Sequence, residues 1–258
     1  MTISRTGRRL VQQVAGRLGV EIRRVRVGPA AARTSMGQSY AHLKSLGFEP
    51  KTVVDVGVAG GTQELYDNFP SAYFLLVEPL AHFENDLKSI LRSYRGTYVL
   101  AAAGASDGEL EFNVHDTHLE GSSMYRETMG SAADGHAIRV PVRRLDDMSR
   151  QHALQGPYLL KVDVQGAELD VLEGAQEVLN DTEAVVLEVS LFGFMKGAPQ
   201  FYDVIAYMKA HGFVAYDILH GWNRPLDGAL GQVDIVFVKE HGRFRRDHAY
   251  ADPLRVSQ

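Results

Sequence analysis

The chain contains no cysteine. That excludes a disulfide framework, a thiolate metal site and a cysteine nucleophile. It suits a reducing compartment, and a cytoplasmic location is the expectation. No apolar run approaches the ~20 residues that cross a bilayer, which excludes an integral membrane protein built of helices. The amino-terminal region lacks the apolar core of a secretory signal. A G-x-S-x-G elbow is absent, which argues against serine nucleophilic catalysis. Internal repeats and a second-domain linker are absent too.

What is present is globular. The 258 residues are 45% hydrophobic and 23% charged, near the average for folded soluble domains, so disorder, collagen and coiled coil are excluded. The net charge of -5 hides an asymmetry. Residues 1–35 hold eight arginines, no lysine and one acid, Glu21. The remainder therefore carries -12, with 19 basic and 31 acidic residues. Within the arm, Leu10, Val11, Val14 and Leu18 recur at helical spacing, so a helix over about residues 7–18 is expected, packed on the main domain or on a homodimer partner. Three regions follow: a basic extension at 1–35, one domain at 36–242, and a tail at 243–258.

From Lys51 onward strands alternate with helices. Thr52–Val58, Tyr73–Glu78, Thr97–Ala103, Tyr158–Val164, Ala184–Ser190, Phe213–Leu219 and Val233–Lys239 read as seven short apolar strands. Residues 63–69, 81–92, Ala167–Leu179 and Gln200–His211 read as helices. This order demands an α/β fold with a mostly parallel sheet covered on both faces. No helix separates the last two strands, so the final strand is expected to run antiparallel. The stretch 104–145 interrupts the rhythm with strands at Glu109–Val114 and Ala137–Arg143 around a Gly/Ser-rich middle. It reads as a hairpin-like insertion with a mobile tip that covers the site as a lid.

In such sheets ligands bind beyond the carboxyl ends of the parallel strands. At the first of these ends stands Asp55-Val-Gly57-Val-Ala-Gly60-Gly61-Thr62, and Glu78 ends the next strand. Glycines admit a ligand close to the backbone, and a carboxylate at Glu78 is placed to accept both hydroxyls of a ribose. The dinucleotide pattern G-x-G-x-x-G is not met, and Asp55 would repel a pyrophosphate. A cofactor with a cationic amino-acid end tolerates that acid, so S-adenosylmethionine is preferred over a nicotinamide dinucleotide. Asp55, Gly57, Gly61, Thr62, Glu78, Ala102 and Ala103 are the expected cofactor contacts.

These residues, with Leu145-Asp146-Asp147, Gly121-Ser122-Ser123, Leu187-Glu188-Val189 and above all Leu160-Lys161-Val162-Asp163-Val164-Gln165-Gly166-Ala167-Glu168, resemble the FkbM-type methyltransferases over about residues 35–240. The resemblance implies a Rossmann-like class I methyltransferase with a seven-stranded sheet in the order 3-2-1-4-5-7-6. It also implies methyl transfer from S-adenosylmethionine to a hydroxyl of a sugar or polyketide-type acceptor. The family's first motif, D-x-G-A-N-x-G, is altered here at Val58-Ala59-Gly60-Gly61, so one polar cofactor contact falls to Thr62 or Gln63.

A hydroxyl acceptor must lose a proton, to a general base or with metal help. Asp163 and Glu188 end neighbouring apolar strands, where an acid must be paired or bind something. Either is a candidate base, and together they are the candidate oxygen ligands for a divalent cation. Lys161 is expected to pair with Asp163 or Glu188, and Glu168 to stabilise the start of a helix. His115, in the insertion, and His220, beside Trp222 and Arg224, are the candidate imidazole bases. The indole of Trp222 suits a sugar face or an apolar acceptor. Nucleic acid is a poor acceptor for a -12 body without an N/D-P-P-Y/F motif. The alternatives are a nicotinamide-dependent oxidoreductase on the same fold and a non-catalytic binding protein that keeps it.

Overall fold

The computed structural model describes residues 32–130, 133–219 and 221–249. Most of the arginine-rich extension, its expected helix at 7–18 and His220 lie outside the described residues. No helix among the described residues is long and apolar enough to cross a membrane.

The main sheet is built from strands whose residues are buried on both sides. β1 (Thr52–Val56), β2 (Tyr73–Val77), β3 (Gly96–Val99), β7 (Tyr158–Val162) and β8 (Thr182–Ser190) run parallel. β11 (Leu230–Lys239) runs antiparallel to β8, and β9 (Phe213–Ile218) pairs with the far edge of β11. The order β3-β2-β1-β7-β8-β11-β9 is 3-2-1-4-5-7-6 when only these seven are numbered. An eighth, two-residue strand, β10 (Trp222–Asn223), adds to the amino-terminal half of β11.

Successive side chains point to opposite faces, so each strand feeds two cores. Val54, Leu160, Leu187 and Phe237 pack against one layer of helices, α4 (Leu145–Gln151), α5 (Glu168–Glu173), α6 (Gln176–Asn180) and α7 (Phe201–Ala210). Val53, Leu159, Val186 and Val238 meet the other layer, α1 (Met36–Ser45), α2 (Gln63–Asn68) and α3 (Glu84–Ser93). Full burial of each such side chain contributes about 1.5–3 kcal/mol. The two-sided demand explains why the strands read as continuous apolar runs.

Three features differ from the sequence reading. The run Thr97–Ala103 does not stay in one strand: β3 ends at Val99, and β4 (Ala102–Ala103) pairs with residues 142–143 in a second sheet. The insertion is thus a three-stranded sheet, β4-β6-β5, made with β5 (Gly108–Val114) and β6 (His136–Arg143) around a small core of Phe112, Val114, Val140 and Val142. The expected helix Ala167–Leu179 breaks into α5 and α6 at Gly174, where a Cβ would stand 2.0 Å from the carbonyl oxygen of Gly104. Asp146, in the Leu-Asp-Asp segment, is buried beside the break. Its Oδ1 accepts the N–H groups of Glu177 and Val178 at 3.0 and 3.1 Å, which caps α6.

Two helices had no strong sequence signal. α1 carries only Tyr40 and Leu43 as large inward apolar residues, with Ser35 capping its start by accepting from Gln38 N–H at 3.2 Å. α4 is short and half acidic in its first turn.

Candidate functional site

β1, β2, β7 and β8 all deliver their carboxyl ends to one edge of the sheet, and a cavity of about 1120 Å³ lies there. Its floor is the β1–α2 turn and the strand ends. Its roof comes from the insertion, through His115, Ser122 and Glu127, and from the segment after β8, through Phe192 and Phe194. These two roofing parts are joined: Thr128 N–H donates to Phe194 O at 2.8 Å, and Lys196 N–H to Arg126 O at 2.8 Å.

At one end, Glu78 follows β2 and is buried. Its Oε2 accepts Ala59 N–H and its Oε1 accepts Leu80 N–H, both at 2.9 Å. Burial pushes its carboxyl up, while those N–H donors and Lys161 pull the other way. The two tethers fix the carboxylate where the β1–α2 turn meets the apolar wall of Leu80, Phe83 and Ala101–Ala103. The turn itself carries Ala59 at φ 45° and Gly57 at φ 74°. A Cβ on Gly57 would stand 1.8 Å from Asp163 O, so only glycine lets β1 and β7 end side by side. At Gly60 a Cβ would meet nothing within 4 Å, and the turn faces open cavity there.

Asp55 lies behind this turn, fully buried. Its Oδ2 accepts the Tyr66 hydroxyl at 2.6 Å, and that hydroxyl accepts Thr62 N–H at 3.0 Å, so the acid braces the turn through a tyrosine. Burial and the nearby Asp55 hold the Tyr66 hydroxyl well above its ordinary range. Lys161 completes the arrangement. Its Nζ lies 3.4 Å from both Asp55 Oδ1 and Asp163 Oδ2 and donates to Gly57 O at 3.2 Å. Burial lowers the pKa of this ammonium, but Asp55 and Asp163 outweigh it and hold the pKa above the ordinary value. The lysine therefore pairs with Asp55 and Asp163 rather than with Glu188.

The other end gathers more carboxyl groups than cations. Gln165 Nε2 donates to Asp163 Oδ1 at 3.0 Å and to Glu188 Oε2 at 2.6 Å. Gln232 Nε2 donates to the same Glu188 oxygen at 3.0 Å, and Asp234 stands opposite Glu188 in the β8–β11 ladder. Burial, then the charges of Asp163, Asp234 and Glu168, push Glu188 well above the usual carboxylate range. With two amide donors on Oε2, its proton belongs on Oε1. Burial and Asp163 likewise push Asp234 up to about 7. Burial pushes Glu168 up to about 7 even though its Oε1 accepts Gly166 N–H at 3.1 Å and Val164 N–H at 3.3 Å at the start of α5.

Beyond the carboxyl groups lies an aromatic wall. Phe194 stacks on Trp222 with centroids 5.7 Å apart, and the Arg224 guanidinium sits 3.9 Å above the Phe192 ring while held by Asp227 at 2.6 Å. His115 faces the same space from the insertion, with Nε2 3.9 Å from Glu127 Oε1.

The structure brings Asp163, Glu188 and His115 to one cavity with Gly57, Gly61, Thr62, Glu78, Ala102 and Ala103. Asp55 touches the turn rather than the cavity. Among the described residues no group of three or more His, Asp or Glu side chains is set to hold a metal ion. The Gln165 amide, an N–H donor, occupies the space between Asp163 and Glu188 that a cation would need. Sequence reasoning missed Tyr66, Gln165 as a bridge, Glu127, and the pair Phe192 and Phe194. Of these only Gln165 carried a signal, lying inside the most specific motif.

Residues 55–215 match the family model described as the methyltransferase FkbM domain. A stretch of 53 residues, 20% of the chain, is 43% identical to 2-O-methyltransferase NoeI of Sinorhizobium fredii (strain NBRC 101917 / NGR234). The chain spans only 22% of the length of that curated relative. Among solved structures, magnesium protoporphyrin IX methyltransferase (ChlM) from Synechocystis PCC 6803 aligns with a TM-score of 0.44 at 9% identity, over 78% of this chain and 76% of that one. Fibrillarin from Aeropyrum pernix aligns with a TM-score of 0.42 at 16% identity, over 78% and 74%.

Proposed function

The chain belongs to the FkbM methyltransferase family, and on that premise we propose that it transfers a methyl group from S-adenosylmethionine to a hydroxyl oxygen of a small molecule or glycan. The observation that carries this reading is Glu78. A buried carboxylate, tethered by two backbone N–H groups, meets a glycine turn and an apolar wall in one cavity. Each carboxylate oxygen keeps a free lone pair for a ribose hydroxyl. The wall of Leu80, Phe83, Ala102 and Ala103 suits an adenine face, and the open turn at Gly60 suits the methionine end.

S-adenosylmethionine supplies, when bound, a methyl group activated by its sulfonium. The chain's own work is then to orient the acceptor and receive its proton. Asp163 is the carboxylate we assign to the proton. Its side chain is 29% exposed, and it lies between the Gly57 turn and the acceptor end. Asp163 would receive the proton that the acceptor hydroxyl gives up to the site. Glu188, holding its own proton, serves as a hydrogen-bond donor to the acceptor. The Phe194–Trp222 pair offers a flat surface, and the insertion with His115 shuts out water. A domain over 36–242 with 104–145 as its cover accommodates this division of labour.

The test is transfer of labelled methyl from S-adenosylmethionine to a panel of neutral sugars and phenolic or polyketide alcohols. We expect an alkali-stable O-methyl ether from at least one class, lost in Asp163→Asn. Binding of NADH without binding of S-adenosylmethionine would overturn the reading in favour of an oxidoreductase.

A further inference from the structure

Gln165 touches three separate parts of the acceptor end. It is not glycine, yet its backbone sits in the left-handed region at φ 54°. Its side-chain amide joins Asp163, just past β7, to Glu188, on β8. Its carbonyl oxygen accepts the Ser123 hydroxyl of the insertion at 2.8 Å. Ser123 is itself well fixed: it is buried, its Oγ accepts Tyr125 N–H at 3.0 Å, and its backbone exchanges hydrogen bonds with Asn113. Next along, the Tyr125 hydroxyl donates to Asp170 on α5 at 2.9 Å. The insertion is therefore fastened to the turn that carries Gln165, not merely laid across it.

A left-handed glutamine is held there by its partners, since nothing in an isolated chain favours it. In that conformation of the turn its amide reaches both carboxyl groups. Resting on the methyl-transfer reading for its purpose, we propose that Gln165 is a positioning residue that couples the seating of the insertion, through Ser123, to the arrangement of the Asp163 and Glu188 carboxyl groups at the acceptor end. When the insertion is seated, the amide holds the two acids in a fixed relation. When it lifts, the turn relaxes and the pair separates. An acceptor enclosed by the insertion thereby meets the carboxyl groups in working order, and an open site does not.

The groups facing Glu188 determine the direction of the expected change. They are Asp163 at the end of β7, Asp234 on β11, Glu168 on α5, and the amides of Gln165 and Gln232. The Gln165 amide favours the ionised form of Glu188 and the three acids oppose it. Loss of the bridge must then raise the pH at which Glu188 ionises.

Carbon-13 NMR of the Glu188 carboxyl group, followed against pH in the full chain, tests this without any acceptor. In the wild type the midpoint is expected on the alkaline side of neutrality. Gln165→Gly, which suits the left-handed backbone and removes the side chain with its amide, should move it up by about one pH unit. Ser123→Ala touches neither carboxyl group, and it should move the midpoint in the same direction by a smaller amount. Hydrogen exchange at residues 113–125 should rise at least several-fold in both variants. A Ser123→Ala midpoint equal to wild type in a folded protein overturns the coupling, and so does a Gln165→Gly midpoint that does not move. Calorimetric titration of the same three proteins with S-adenosylhomocysteine reports separately on the methyl-transfer reading. Its failure in the wild type would remove the purpose of the coupling, while the NMR midpoints would still decide whether the coupling exists.

Discussion

Between Asp55 and Leu80, two adjacent strands, one turn and one short helix make most of one end of the cavity. The other end draws on β7, β8, β10, β11 and the insertion, with contributions from residues as far apart as His115 and Gln232. The first end is rigid by construction: Glu78 is tethered twice by backbone, and Asp55 is braced by Tyr66 and Lys161. The second end is held by side chains, with one amide between two acids and a serine from the insertion behind it. A cofactor common to a family needs only the first kind of site. On the proposed reading, acceptor choice and proton handling fall to the second, whose side chains can vary without disturbing the sheet.

The joint between the two ends is Gly57, and substitution there should have the largest effect. Gly57→Ala puts a Cβ against Asp163 O at 1.8 Å and strains a backbone at φ 74°. Chemical denaturation should show a loss of at least about 4 kcal/mol. A loss below about 1 kcal/mol would mean that the strands β1 and β7 are less closely joined than described.

Next in size is Lys161→Met, which leaves Asp55 buried beside Asp163 without its cation. A loss of about 3 kcal/mol is expected in urea unfolding at neutral pH. The double variant Lys161→Met with Asp55→Asn should recover part of that loss, because no uncompensated charge then remains behind the turn.

The acid-rich end should show itself in the pH dependence of stability. Glu168 and Asp234 ionise near 7 when folded, above their ordinary values, and Glu188 ionises higher still. Between about pH 5 and 7 the native state therefore keeps protons that the unfolded chain has released. Their stabilising contribution is complete below the ordinary carboxylate range and is lost as the pH rises through the folded values. Each retained proton costs about 1.4 kcal/mol of stability per pH unit over that window. Unfolding free energies measured from pH 5 to 8 should fall, and Glu168→Gln should make the fall shallower. An unchanged slope in that variant would contradict the assignment.

The smallest effect is expected at Trp222. Trp222→Ala removes the indole stacked on Phe194 but nothing near Glu78. S-adenosylhomocysteine should bind this variant within about twofold of wild type. Trp222 is the sole tryptophan, so in the wild type its fluorescence reports on the acceptor end alone.

The same contrast explains what could be read from the sequence. The seven strands and the glycine turn were legible because their constraints are local: apolar runs buried on both faces, and a glycine cluster between strand and helix; the strand order followed from the family resemblance, not from these local signals. The break of Thr97–Ala103 between two sheets was not legible, because both halves are equally apolar and only long-range pairing with Val142 and Arg143 decides it. The split at Gly174 depends on the approach of Gly104, far away in the chain. At the acceptor end, Asp163 and Glu188 announced themselves as acids inside apolar strands. Gln165, Glu127 and the Phe192–Phe194 pair did not, since a glutamine or phenylalanine in a loop gains meaning only from what folds against it.

The central claim is that Glu78 anchors a nucleoside cofactor at the rigid end of the cavity. Calorimetric titration of S-adenosylhomocysteine into wild type and Glu78→Ala tests it most directly. Saturable binding to the wild type is expected, weakened about 100-fold in the variant through the loss of hydrogen bonds to a charged group, with the circular dichroism spectrum unchanged. Absence of binding to the wild type at millimolar ligand, or equal affinity for the two proteins, would contradict the claim.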